Sequence, residues 1–313
     1  MADSLPTVQV GRTDIRVPVL GLGCAHLGGA RDTLRAVDTI YYALEHGCTF
    51  FDTAPKYWKC QSELHLGAAL PGVPRDSYVL STKVGRLVRG DGALVADYSR
   101  DGVLWSLEAS LKRLRLDRID ILHIHDADNH YEQALNETLP ALADLRGQGV
   151  IRAIGAGMNQ WEMLADFARE GDFDCFLLAG RYTLLEQRAL ELGRISQEQR
   201  IGLFLGGVYN SGILATGAQP GAQYNYEDAP QEVLERVSRL EAVCAHYGVA
   251  LPAAALQLPL AHPGVTALVV GAESPDQVAS NLEALETPIP AELWTELKQQ
   301  GLLREDVPTP GAE

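Results

Sequence analysis

The sequence predicts a (β/α)8 TIM barrel, a closed ring of eight parallel strands covered by helices, with an N-terminal β-hairpin and an extra C-terminal helix. Three observations lead there. Short apolar, β-prone runs alternate with helical patterns along nearly the whole chain, and strict alternation demands a mainly parallel sheet because parallel neighbours need crossover connections. Eight such runs are present, and ionisable residues close several of them instead of gathering at one glycine-rich turn. A closed barrel keeps its active site on that face, built from several strand ends. Finally, 313 residues with 46% hydrophobic side chains suit a single barrel domain over 1–313.

Taken in order, 8–10 and 15–17 are β-prone runs around the turn-rich GRTD and read as a hairpin placed to plug one end of the barrel. Strands are then expected at 19–23, 48–52, 78–84, 119–125, 150–155, 175–179, 201–205 and 265–270. The helical patterns between and after them cover 34–45, 63–70, 103–114, 131–146, 161–169, 185–195, 230–246 and 275–285. Residues 206–227, rich in Gly, Asn and Tyr, form the longest non-helical connection, and long loops of that kind are commonly functional lids. An additional helix at 293–300 is stopped by Gly301, and the tail 304–313 reads as disordered.

The charge is acidic, net -15, which argues against nucleic acid or an anionic membrane as partner and favours a small-molecule sugar or carbonyl substrate. No apolar run approaches the roughly 20 residues of a membrane span, and the N-terminus lacks the basic and apolar regions of a secretion signal. A cytoplasmic monomer or small homo-oligomer is expected. Cys24, Cys48, Cys60, Cys175 and Cys244 are scattered without C-x-x-C pairing, so neither a metal site nor a disulfide framework is expected.

Three consecutive predicted strands deliver Asp52, Lys83 and His125 to their C-terminal ends, and Tyr57 follows on the loop after Asp52. A tyrosine in water titrates at about 10, and a neighbouring ammonium lowers that value. Lys83 is placed to do so, Asp52 to hold Lys83, and His125 to orient a substrate oxygen. The set moves one proton on or off an oxygen, and a nicotinamide hydride would complete a carbonyl–alcohol interconversion. Taken singly, each residue has a bland role as turn cap, solvated strand end or surface aromatic; their joint placement favours function. His123 shares the face of His125 one layer deeper and reads as packing, and His26 ends the loop after the first strand.

The segments VPVLGLG, FFDTAPKY followed by SE, LSTKV, SLEASLKRLRLDRIDILHIH and IRAIG resemble successive signatures of the aldo-keto reductase family over nearly the whole chain. The resemblance implies a catalytic tetrad of Asp52, Tyr57, Lys83 and His125, with Tyr57 as acid/base. HDAD, GAGMNQ, AGRYTLLEQ, GGVYNSGILATG and AALQLPLAHPGV are similar to the D-threo-aldose 1-dehydrogenase branch, which acts on fucose- or galactose-like sugars. That similarity implies oxidation of a cyclic aldose to its lactone. An NADPH-dependent reductase of small aldehydes and a non-catalytic nucleotide-binding subunit are the competing readings. A Rossmann protein is weakly signalled by Gly21-Leu-Gly23, whose motif needs glycine where His26 stands.

The resemblance assigns nucleotide contacts to Gly23, Asn159, Gly207, Tyr209, Ser211, Gly271, Glu273, Gln277 and Asn281, and substrate contacts to His26, Trp58 and Asp126. Several positions depart from the family pattern. Trp58 replaces the usual glycine after the tyrosine, and Gly157-Met158 stand where many members have Ser-Asn, with Asn159 one place later. Ala179 replaces a glutamine, and Gly207 replaces a stacking aromatic for which Tyr182 or Tyr209 could substitute. Ser274-Pro275-Asp276-Gln277 has the form of a helix start. Glu273 there, where NADP users commonly carry Arg or Lys, favours NAD, with NADP the alternative.

Overall fold

The structure is a computed structural model describing residues 5–30 and 32–311. Thr7–Gln9 pairs antiparallel with Arg16–Pro18. Val10 and Ile15 beyond that ladder and Val17 within it are buried in one apolar cluster with Phe50, Ile121, Cys175 and Phe204, while Gly11 abuts the backbone where two barrel strands begin. The hairpin therefore closes the N-terminal end of the barrel.

Eight strands follow: β1 Leu20–Gly23, β2 Phe50–Asp52, β3 Val79–Val84, β4 Ile119–His125, β5 Ile151–Met158, β6 Cys175–Ala179, β7 Gly202–Gly206 and β8 Ala267–Gly271. Each pairs parallel with the next, and β8 returns to β1. Closure excludes the open doubly wound sheet. In the register Asp52 lies opposite Ser81 and Lys83 opposite His123. From Asp52 to Lys83 to His125, each step to the next strand thus climbs two residues, and this stagger compensates the tilt of barrel strands. One height results.

Alternation gives β3 two jobs. Ser81 and Lys83 face the barrel interior, whereas Thr82 faces out and donates to Glu63 Oε1 at 2.7 Å. Glu63 belongs to the helix Gln61–Ala69, and Arg113 of the helix Arg100–Leu114 donates to its other oxygen at 2.6 Å. One buried carboxylate so ties two helices to the outside of the strand that carries Lys83 within. Below the site, His123 is fully buried, its ring edge against Phe204 at 6.3 Å. It is a packing residue, as expected.

Several elements differ from the sequence expectation. The helix Leu251–Leu260 has no counterpart in the predicted pattern. It is apolar on nearly every side and packed among helices, so it shows no amphipathic period. Residues 185–189 are not helical; Thr183 and Glu186 close a hydrogen-bonded turn, and the helix starts at Leu190. A π segment, Ala134–Thr138, interrupts the helix expected at 131–146, and β5 runs on to Met158. Small hairpins form at Arg86–Val88 with Leu94–Ala96 and at Gln223–Tyr224 with Glu227–Asp228. Within the described part of the tail at 304–313, Val307 is buried and Asp306 pairs with Arg194, after the buried Leu302 and Leu303 that precede it. The extra helix is Ala291–Gln299. Among the described residues no single helix is long and apolar enough to cross a membrane.

Gly155 on β5 faces the His123 ring, and an added Cβ would stand 2.2 Å from its Nδ1. Because that ring is buried, Gly155→Ala should cost about 1–3 kcal/mol by overpacking, read as a lowered urea midpoint with unchanged slope; an unshifted midpoint would contradict this packing.

Candidate active site

The site begins with an ammonium that has left water. Lys83 is 1% exposed and its partner Asp52 3%, with Nζ 2.6 Å from Asp52 Oδ2. A lysine has three N–H bonds to satisfy. The second goes to the Thr53 carbonyl at 2.9 Å and the third to the Tyr57 hydroxyl at 3.0 Å. Ser81 holds the other Asp52 oxygen at 2.6 Å. Since the Tyr57 oxygen accepts from Lys83, its own O–H is free to donate into the cavity it lines.

Burial opposes the charge on Lys83, but Asp52 and Tyr57 outweigh it and hold the ammonium above the ordinary lysine range. At Tyr57 the expected downward pull of Lys83 is present but outweighed. Burial pushes the hydroxyl up to about 12, so in this site the phenol is neutral near pH 7. The ammonium limits the rise without reversing it. His125, at the end of β4, is driven down to about 3, by burial first and against the opposing pull of Asp126. Its ring meets Tyr57 edge-on at 5.9 Å. As a neutral imidazole it carries one N–H to donate. Tyr98 fixes the backbone there, its hydroxyl donating to the His125 carbonyl at 2.5 Å. Asp126 accepts from Lys56 at 2.9 Å, and burial, which disfavours its charge, is outweighed by His125, Lys56 and Arg86. Its carboxyl is held below the usual range.

From Tyr57 and Asp52 a cavity of about 410 Å³ runs along β6, β7 and β8 to the start of the helix Pro275–Glu286. Of the expected contacts, Gly23, His26, Gly207, Tyr209, Ser211, Gly271, Glu273 and Gln277 line it. Ser274 caps that helix by accepting from the Gln277 N–H at 3.4 Å, and Gln277 Oε1 accepts from the Glu273 N–H at 2.8 Å. Asn281 acts indirectly, receiving the Tyr209 hydroxyl at 2.9 Å. Asn159, Trp58 and Asp126 lie outside the lining. Asn159 follows Gly155 and Gly157 in the inward alternation of β5, one place beyond the strand. Tyr182 is buried edge-on against His262 at 5.6 Å and does not reach the cavity, so of the two expected substitutes only Tyr209 lines it.

The sequence reading missed Ser81, Lys56, Gln223 and Tyr226. Ser81 was accessible, being two residues before Lys83 on the inward face. Lys56, and the Gln223 and Tyr226 of the lid hairpin that reach the cavity, had no local signal. The expected lid at 206–227 does face the cavity, although it contains the short helix Ile213–Thr216.

The chain shares this architecture with proteins of known family. The profile of the Aldo/keto reductase family matches residues 19–301. Pyridoxal 4-dehydrogenase of Microbacterium luteolum is 37% identical, over 94% of this chain and 97% of that protein. D-threo-aldose 1-dehydrogenase of a Pseudomonas species is also 37% identical, over 95% and 96%. The holo form of an aldo-keto reductase from Bacillus halodurans superposes with a TM-score of 0.81 at 28% identity, covering 97% of this chain and 98% of that one.

Trp58, Lys59 and Cys60 form a run of left-handed residues after Tyr57, with φ of 47°, 50° and 74°. Strain of about 1–3 kcal/mol per such residue persists where surroundings or function impose it. Trp58 is 46% exposed and meets His26 edge-on at 6.3 Å, so its ring adds little to the core. Trp58→Gly should therefore leave the thermal midpoint unchanged or higher while raising KM for the carbonyl or sugar substrate more than KM for the nucleotide. A lowered midpoint with unaltered KM would show the ring to be structural.

Proposed function

Because the chain belongs to the aldo/keto reductase family and is a nicotinamide-dependent oxidoreductase by that membership, we propose that it oxidises a cyclic aldose of the fucose or galactose type at C1 to its lactone. The observation that carries the reading is the Asp52–Lys83–Tyr57 chain beside His125 at one end of a cavity. The cavity suits a dinucleotide: a proton-transfer pair stands at one end and a capped helix N-terminus, which favours anionic groups, at the other. Bound there, the nicotinamide supplies the hydride acceptor or donor. Tyr57 exchanges the proton, Lys83 steadies its oxygen, Asp52 holds Lys83, and His125 orients the substrate oxygen. Gly23, Gly207, Tyr209, Ser211, Gly271, Glu273 and Gln277 would hold the nucleotide.

Substrate class is supported by what two relatives' substrates share. An aldose and pyridoxal each carry a hydroxyl within ring-closing reach of an aldehyde, so each can present a cyclic hemiacetal. The reductase of small aldehydes remains the second reading, since a neutral phenol at Tyr57 is already the acid that carbonyl reduction needs. A non-catalytic nucleotide-binding role is disfavoured by the complete hydrogen-bonded set.

The test is a pair of variants. Tyr57→Phe keeps the ring and removes the proton, so turnover should fall roughly 10²–10⁴-fold with nucleotide affinity retained. Lys83→Met removes a charge that pulls the Tyr57 pKa down, so that pKa rises further and the ascending limb of oxidation against pH moves alkaline, with oxidation losing more than reduction. Near-normal turnover of the Phe variant, or an unshifted limb in the Met variant, would refute the assigned roles.

For the nucleotide, NAD is favoured over NADP. The described lining includes Glu273 and Gln277 at the adenosine end and neither lysine nor arginine, whereas a 2′-phosphate wants cationic donors and a carboxylate can accept from a ribose hydroxyl. The kcat/KM ratio should favour NAD⁺, and Glu273→Arg should move it toward NADP⁺ by about tenfold or more, the worth of a charge-assisted hydrogen bond. A wild-type preference for NADP⁺ in matched assays would overturn this choice.

A further inference from the structure

Directly after His125 the chain turns through a left-handed residue that carries a side chain, Asp126, with φ of 47°. That conformation costs about 1–2 kcal/mol for a residue with a Cβ, and three bonds impose it. The Asp126 N–H donates to the Gly157 carbonyl at 3.0 Å. Its own carbonyl accepts from Arg86 at 3.0 Å and shares with the His125 carbonyl the single proton of the Tyr98 hydroxyl, 2.6 Å away. The turn holds the carboxylate between Lys56 Nζ at 2.9 Å and His125 Nε2 at 3.6 Å, with the side chain 22% exposed.

The placement also assigns the proton of His125 to one nitrogen. Nδ1 is buried without a partner, so an N–H there would go unmet, whereas Nε2 faces the Asp126 carboxylate at 3.6 Å. The proton therefore sits on Nε2, next to the Asp126 carboxylate. Nε2–H and the Tyr57 O–H are the donors available to a reacting oxygen. Asp126 is an acceptor only, standing beside that oxygen without competing for it at hydrogen-bond distance.

We infer that Asp126, clamped by Lys56, is a specificity-determining residue that accepts the hydroxyl on the carbon next to the reacting one. It thereby selects α-hydroxy carbonyl compounds and their cyclic hemiacetals over simple aldehydes. Oxygens on adjacent carbons lie a hydrogen-bond length apart, so the reacting oxygen takes Nε2–H while its neighbour donates to the carboxylate, completing a closed circuit of polar atoms. A substrate without that hydroxyl leaves the side of the Lys56-paired carboxylate that faces His125 without its donor, and sites built to bind a substrate hydroxyl discriminate strongly against analogues that lack it. This rests on the oxidoreductase reading above and adds the substrate feature read beside the reacting carbon.

The test compares substrates differing by one hydroxyl: lactaldehyde (2-hydroxypropanal) with propanal in reduction, and D-galactose with 2-deoxy-D-galactose in oxidation, each with both nucleotides. Asp126→Asn keeps the volume and tolerates the left-handed backbone, and nucleotide binding to each variant reports its integrity. Wild type should prefer the hydroxylated member of each pair it turns over, and Asp126→Asn should erode that preference by about tenfold or more in kcat/KM. Asp126→Ala should erode it further. Equal losses on both members, no loss, or a wild type indifferent to the hydroxyl overturns the assignment, and a wild type inactive on all four overturns it together with the function. Selectivity lost in the reduction pair by an enzyme that oxidises neither sugar would sink the lactone reading and keep Asp126 in its role.

Discussion

An ammonium at 1% exposure tolerates no unmet donor, and the three N–H bonds of Lys83 dictate how the surrounding barrel is built. Each acceptor comes from β2 or the loop that leaves it: the Asp52 carboxylate, the Thr53 carbonyl and the Tyr57 hydroxyl. That loop must therefore leave β2 inward and carry the tyrosine back over the strand end. Removing one partner of a buried pair costs about 3–5 kcal/mol, so the contacts that arm Tyr57 also hold the loop. Chemistry and local stability share the same bonds. The outer face of β3 answers with a second buried carboxylate, Glu63, which prevents the helices from drifting relative to the strand.

What could be read from the sequence was whatever depends on period and strand end. Asp52, Lys83 and His125 were found because alternation and neighbouring strand order are enough to bring them together, and the hairpin because two β-prone runs flank a turn. Tertiary surroundings decided the rest. The helix Leu251–Leu260 carries no amphipathic period because neighbours cover it, and Val307 gives no hint alone that its segment returns to the core. The titration of Tyr57 depends on a burial cost larger than the Lys83 attraction, and no spacing rule conveys the depth of a cavity. Lys56 was invisible for a related reason: its partner Asp126 lies 70 residues on and is aimed by a left-handed turn.

An acidic chain of net -15 that binds a dinucleotide cannot rely on long-range attraction. With neither lysine nor arginine in the described lining of the proposed cofactor cavity, anionic groups there would be met by backbone dipoles. The glycine-rich turn at Gly206 and Gly207 and the capped start of the helix Pro275–Glu286 supply such N–H groups. Binding built on fixed dipoles depends on backbone shape more than on salt, which suits a lid that meets the cavity through the stretch before its short helix and through its small hairpin.

The titration of the two central residues constrains which alcohols such a site could oxidise. Burial keeps Tyr57 a phenol and His125 a neutral imidazole, so near pH 7 the site presents two donors to one oxygen. Two donors favour a carbonyl oxygen gaining negative charge, and oxidation of an ordinary alcohol would first have to strip a proton with a poor base. A cyclic hemiacetal eases both parts of that problem. Its hydroxyl is more acidic than that of a simple alcohol, and the ring oxygen's lone pair assists departure of hydride from the same carbon. The product is a lactone, whose carbonyl is a weaker hydride acceptor than an aldehyde, so the reverse reaction is disfavoured although the site is protonated for it. A barrel that buries its acid–base pair this deeply runs as a dehydrogenase best on substrates that bring their own activation, and the aldoses that close on themselves are such substrates.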